Sequence, residues 1–108
     1  MKAVRVHKTG GLEVLKLEDI PEPRPGSGQV LIRHEAIGVN FIDIYFRSGL
    51  YKTPLPFTVG LEGAGTIAEI GLHVVGLKPG DRVAYIGPLG AYAQSSVVPQ
   101  DRVVKLPS

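Results

Sequence analysis

Residues 60–71 read GLEGAGTIAEIG, and their reading decides the fold. Glycines at 60, 63, 65 and 71 invite a phosphate loop. A dinucleotide cradle, however, needs G-x-G-x-x-G placed between a strand and a helix of a βαβ unit. The spacing here is G-x-x-G-x-G, and residues 64–70 after it are strand-like. The glycines are better explained by a tightly curved sheet. Ile67 and Ile70 cannot share one face of a regular strand, whose side chains alternate, so a bulge or twist is expected between them. Glu62, the one charge in residues 60–65, stays open between a buried ion-pair partner, an acceptor of backbone N–H groups and, more weakly, a catalytic carboxylate.

Working outward, LKPGDRVAYIG places Pro79-Gly80 as the central pair of a type II turn and begins a strand at Val83 and Tyr85. GPLG makes a turn, AYAQSSVVP a strand and RVVKL a last short strand. Upstream, MKAVRVHK alternates Ala3, Val4 and Val6 with charges, as a half-buried or edge strand does. TGG then turns the chain. LEVLKLEDI repeats the pattern, with Leu15, Leu17 and either Leu12 or Val14 expected inside. Alternate prolines in PEPRPGSGQ keep the chain extended and return it to the next strand. QVLIRHEAIGVN is the longest strand candidate, with Gly38 marking a bulge or a close backbone approach. About seven short strands joined by turns predict a mainly β domain, a small barrel or sandwich carrying at least one short helix.

Composition narrows the functional classes. At 108 residues, 44% hydrophobic and 20% charged, the chain predicts one domain with its own core. A formal charge of +2 without a dense basic stripe argues against nucleic acid. No apolar run reaches the roughly 18 residues of a membrane helix, and no signal peptide is recognisable. With no cysteine, disulfides, thiolate nucleophiles and Cys-based zinc sites are excluded, which suits a cytoplasmic location.

The period changes in residues 40–51, NFIDIYFRSGLY, which hold four of the chain's seven aromatic side chains. Phe41, Ile44 and Tyr45 at three- and four-residue spacings predict a short helix. Asn40 suits its N-cap, Asp43 the reciprocal capping position three residues on, and Gly49 its end. Phe41 and Ile44 are expected to anchor the helix in the core. Asn40, Tyr45 and Tyr51 are harder to explain by packing, because buried amide and hydroxyl groups need partners. The segment is a packed helix or the lip of a ligand site.

His7, His34 and His73 lie far apart, none with a partner at ligand spacing, and are expected as solvated or strand-surface side chains. Neither Ser95 nor Ser96 sits in a nucleophile-elbow setting. No catalytic residue is assigned firmly, and no metal ligand.

Taken together, HKTGGLEVLKLEDIPEP, IGVNFIDIYFRSGLY, PFTVGLEGAGTIAEIG, PGDRVAY and GPLGAYAQ resemble the N-terminal domain of the quinone oxidoreductase branch of the medium-chain dehydrogenase/reductase family. The resemblance spans the chain. It implies a GroES-like, partly open β-barrel with short helices over 1–108. This would be the substrate-side domain of a two-domain enzyme whose Rossmann domain lies outside these residues. Where zinc alcohol dehydrogenases of the family carry a ligand cysteine, this chain has Asn40, and Gly60-Leu61-Glu62 replaces their Gly-His-Glu. The resemblance therefore implies zinc-independent hydride transfer from NADPH to a quinone, enone or related conjugated carbonyl.

By the same resemblance, Asn40, Tyr45 and Tyr51 contact the cofactor or line its cleft. Asp43, Arg47 and Glu62 are candidates for the substrate cleft. Asp43 and Arg47 equally suit a rim ion pair at i,i+4, worth about 0.2–0.5 kcal/mol. The missing Rossmann domain is the expected partner, the intact parent is expected to be a homodimer, and these residues alone are expected to have little or no reductase activity. Two alternatives stand beside this: a standalone GroES-like scaffold or interaction module, and a small-molecule binding domain without chemistry.

Overall fold

A computed structural model describes residues 1–107. Eight strands and one α-helix follow in the order β1 (Lys2–Val6), β2 (Lys16–Asp19), β3 (Gln29–Ile37), α1 (Phe41–Ser48), β4 (Phe57–Thr58), β5 (Glu62–Ile70), β6 (Arg82–Ile86), β7 (Ser95–Pro99) and β8 (Val103–Lys105). They form a three-stranded sheet, β2-β1-β4, and a five-stranded sheet, β7-β3-β5-β6-β8. Every pairing is antiparallel, as short turn-linked strands permit. The expectation of a mainly β, partly open barrel is met: the larger sheet curls into a half-barrel.

Residues 91–94 stitch the two sheets together. Val4 donates to the Tyr92 carbonyl at 2.8 Å, Gln94 donates to Lys2 at 3.0 Å, and His34 donates to Gln94 at 2.9 Å. One apolar cluster, built on Val30, Ile32, Ile67, Val83 and Val98, is drawn from β3, β5, β6 and β7 of the larger sheet. A second, of Val6, Val14, Phe57 and Val59, joins residues of β1 and β4 of the smaller sheet to Val14 and Val59 beside them.

The bulge expected in the glycine-rich strand is present. Leu31 pairs with Glu69 but Ile32 with Ile67, so β5 carries an extra residue at Ala68. That shift lets Ile67 and Ile70 both reach the first cluster. Gly65 explains the close strand approach, because a Cβ there would overlap the Arg33 carbonyl oxygen. The Pro79-Gly80 turn also forms, with Gly80 at φ +95° and Asp81 donating to Lys78 at 3.1 Å.

Two packing expectations are corrected. Residues 12–14 make a single 3-10 turn, so the alternation read through LEVLKLEDI breaks there. Val14 is buried and Leu17 is 71% exposed. In α1, Phe41 is 79% and Ile44 41% exposed, so neither anchors the helix. Its buried residue is Asp43, and Phe46 supplies the apolar contact to the second cluster.

Candidate functional site

α1 begins where β3 ends, and Asn40 caps it in extended conformation. The Asn40 backbone N–H donates to Asp43 Oδ2 at 3.0 Å, the return arm of a capping box, and Asp43 N–H donates to the Asn40 carbonyl at 3.0 Å. At the other end, Gly49 closes the helix in the left-handed region. Gly10 N–H donates to the Arg47 carbonyl at 3.0 Å, and Arg47 Nε donates to the Gly10 carbonyl at 3.3 Å. Both ends are therefore fixed by polar bonds.

Asp43 is 4% exposed. The Tyr92 hydroxyl donates to the same Oδ2 at 2.7 Å, while Oδ1 is buried without a hydrogen-bond partner. Burial, reinforced by the hydrogen bond and charge of Asp43, holds the Tyr92 phenol well above its ordinary titration range. The rim ion pair between Asp43 and Arg47 is absent among the described residues: the carboxylate faces Tyr92 and the guanidinium faces Gly10.

Asn40, Asp43 and Arg47 line a groove of about 510 Å³, walled by Leu12, Val59 and Tyr92. Tyr45 and Tyr51 lie outside it and pack edge to face, with ring centroids 5.5 Å apart. Tyr51 also meets Phe46, at 5.6 Å. Both tyrosines remain substantially exposed. Glu62 belongs to a separate concavity of about 750 Å³ that also includes Tyr85, Ile86 and Arg102. Its side chain lies over Gly38, where a Cβ would overlap it, so the close approach expected at Gly38 is present. The structure thus brings Asn40, Asp43 and Arg47 together, sets Tyr45 of α1 against Tyr51 of the loop that follows it, outside the groove, and leaves Glu62 apart.

Two features escaped the sequence reading. Tyr92 falls in AYAQSSVVP, read as a strand throughout, but β7 begins only at Ser95 and residues 91–94 are irregular, so alternation gives no guide to its direction. The other is a half-buried pair in which His34 Nδ1 donates to the Ala93 carbonyl at 2.7 Å and Nε2 accepts from the Tyr85 hydroxyl at 2.7 Å. Desolvation lowers the pKa of His34, opposed by its bond to Ala93. His34 is thereby a satisfied histidine rather than a solvated one. Its signal was Gly63, whose missing side chain leaves room for both rings. Among the described residues, no group of three or more His, Cys, Asp or Glu side chains gathers to hold a metal ion. No helix among them is long and apolar enough to cross a membrane.

Residues 26–108 match the alcohol dehydrogenase GroES-like domain model. The chain is 47% identical over 108 residues to a quinone oxidoreductase of Pseudomonas aeruginosa, covering 98% of this chain and 33% of that protein. A mycobacterial protein complexed with NADPH superposes with a TM-score of 0.95 at 46% identity, covering 99% of this chain and 34% of that one. Escherichia coli quinone oxidoreductase, complexed with NADPH, gives 0.96 at 39% identity, with 99% and 33% covered. The chain spans about a third of the length of the curated relatives it matches. A match over most of the chain, joined to this superposition, places it in the alcohol dehydrogenase GroES-like domain family.

Proposed function

We propose that this chain forms the substrate-side wall of an NADPH-dependent reductase that passes hydride to a quinone or related conjugated carbonyl. The other wall is a Rossmann domain. The observation that carries the reading is the face of α1: a polar cap at Asn40 opening on an apolar groove, beside two exposed tyrosine rings that the core does not use. The likeness to a mycobacterial protein and to Escherichia coli quinone oxidoreductase, each solved with NADPH, supports it.

NADPH, when bound, supplies the hydride. The residues present suit its nicotinamide end. Asn40 offers an amide donor and acceptor at the start of α1, where the partial positive charge of the helix favours electron-rich groups. Tyr45 and Tyr51 provide flat apolar surface with a hydroxyl at each tip, fitting a planar carbonyl substrate. Val39, Phe41 and Ile44 are exposed on the same side and would exclude water once a second wall covers them. Arg47 and Asp43 lie at the groove and Glu62 in the neighbouring concavity, so the first two are the nearer substrate-cleft candidates. By resemblance, Asn40 and Leu61 occupy the positions of two zinc ligands, so carbonyl polarisation falls to these hydrogen-bonding groups.

The test is an NADPH titration followed by amide shifts. It uses the chain alone and the chain joined to the nucleotide-binding domain of the Pseudomonas aeruginosa relative. Saturable shifts at Asn40, Tyr45 and Tyr51 are expected in the joined form. Asn40→Ala should weaken binding roughly 5-fold, the loss of about 1 kcal/mol for one hydrogen bond. Shifts that bypass all three residues would overturn the assignment of this wall.

A further inference from the structure

Asp43 is not what stability alone would place inside a small barrel. A buried carboxylate with one unpartnered oxygen is an unfavourable arrangement, since an acceptor left dry loses its water without replacement. What the carboxylate does is geometric. A single oxygen, Oδ2, receives both the Asn40 N–H and the Tyr92 hydroxyl. One donor belongs to the residue that starts α1. The other belongs to residues 91–94, which stitch the two sheets.

Tyr92 is itself held in place. Its backbone N–H donates to Val59 at 2.8 Å, its carbonyl accepts from Val4, and its ring packs on Gly60, where a Cβ would overlap it. A chain of contacts therefore runs from the rigid sheet seam, through the phenol and one carboxylate oxygen, to the backbone of Asn40. Tyr92 is kept protonated by burial and by the carboxylate it faces, so it stays a donor. The titratable group bonded to Asp43 is Tyr92 from the seam; Arg47 of α1 lines the same groove but turns its guanidinium to the Gly10 carbonyl.

We infer that Asp43 is a positioning residue: through Oδ2, braced by Tyr92, it fixes Asn40 against the barrel and so sets the placement of the cofactor-facing lip. This rests on the reading that Asn40 meets NADPH. It does not make Asp43 a catalytic residue, and it separates Asp43 from the substrate-contacting role that the family resemblance left open.

The two side-chain oxygens give distinct expectations. An Asn at position 43 can put its one oxygen where Oδ2 lies and accept both donors, placing its NH₂ where Oδ1 is unpartnered. Asp43→Ala removes both bonds. NADPH affinity is measured in the two-domain form in a double-mutant cycle with Asn40→Ala. Asp43→Ala should weaken binding roughly 4-fold in the unaltered background, no more than Asn40→Ala itself, and less than 2-fold when Asn40 is already Ala. Asp43→Asn should stay within 2-fold throughout.

Equal losses from Asp43→Ala in both backgrounds would show that it acts on folding alone and would overturn the inference. So would an Asp43→Asn variant as poor as Asp43→Ala, since charge rather than the shared oxygen would then matter. If Asn40→Ala itself leaves affinity unchanged, the cofactor reading fails separately. Positioning is then read from the Asn40 backbone amide shift, which should move with Asp43→Ala and Tyr92→Phe and hold with Asp43→Asn. An unmoved shift in Asp43→Ala would overturn positioning on its own.

Discussion

Gly60→Ala tests how the seam and the glycine-rich strand meet. Gly60 sits at φ +102°, a region that an L side chain occupies at a cost of about 1–3 kcal/mol. A Cβ built there would also overlap the Tyr92 ring and lie 3.0 Å from the Ala91 Cβ. Room cannot be made by a simple rotation, because the Gly60 carbonyl accepts from both Gly90 and Ala91, at 2.9 and 3.2 Å. Overpacking of this kind costs about 1–3 kcal/mol, so the two contributions together come to about 2–6 kcal/mol. Against a total of about 5–15 kcal/mol for a domain, this is a large share.

Gly76 provides the control, since it too has a positive φ, +79°, but nothing lies within 4 Å of its would-be Cβ. Gly76→Ala should cost only the backbone strain. In urea, with a slope of about 1–3 kcal/mol per molar, the Gly60→Ala midpoint should fall by about 1–2 M more than that of Gly76→Ala. Tyr92→Ala removes the ring, so adding Gly60→Ala to it should cost about 1–3 kcal/mol less than in the unaltered chain. Equal midpoints for the two glycine variants, or full additivity with Tyr92→Ala, would refute the argument that the ring rests on Gly60.

Two further expectations concern the larger sheet. Ile32 is fully buried in the first cluster, so Ile32→Ala should cost about 2–5 kcal/mol and lower Tm by ~10 °C or more, whereas Val104→Ala, mostly exposed on the edge strand, should stay within about 0.5 kcal/mol. His34 has its folded pKa lowered by desolvation, so between that value and about 6.5 the unfolded chain binds more protons. Its contribution is fully present above about pH 6.5 and is lost as pH falls towards the folded value. Urea midpoints at pH 7.5, 6 and 5 should therefore decline more steeply for the native chain than for His34→Gln, and parallel curves would remove the assignment.

Much of the architecture could be read from period and punctuation. The bulge at Ala68 followed from two isoleucines three residues apart in a strand, and the Pro79-Gly80 turn from its residue types. The break at Leu12–Val14 did not, because a single 3-10 turn keeps an apolar spacing close to that of a strand while rotating Val14 inward and leaving Leu17 out. Tyr92 was illegible for a different reason. Its role comes from a hydrogen bond to a residue 49 positions away, across the gap between helix and seam. No local spacing encodes that. Gly63 and Gly65 were legible as sheet glycines, but what fills the space they leave, the rings of His34 and Tyr85 in one case and a strand backbone in the other, required the register of β3 against β5.

The helix formed with the caps expected, but the expectation that Phe41 and Ile44 anchor it in the core failed in a way that bears on function. Spacing counts apolar residues and assumes that they face inward, as they do when burial alone holds a helix. Here α1 is held by the Asp43 carboxylate at one end and by the reciprocal bonds of Arg47 and Gly10 at the other, with Phe46 as its apolar foot. Once polar bonds anchor the element, Phe41, Ile44 and Tyr45 need not serve the core, and they stand exposed with Val39 beside the groove. Such a surface leaves apolar side chains in water, a cost that a second wall would relieve on closing over them. The polar anchoring and the exposed apolar face are therefore parts of one arrangement: fixing the helix through Asp43 leaves that face free for the second wall proposed above.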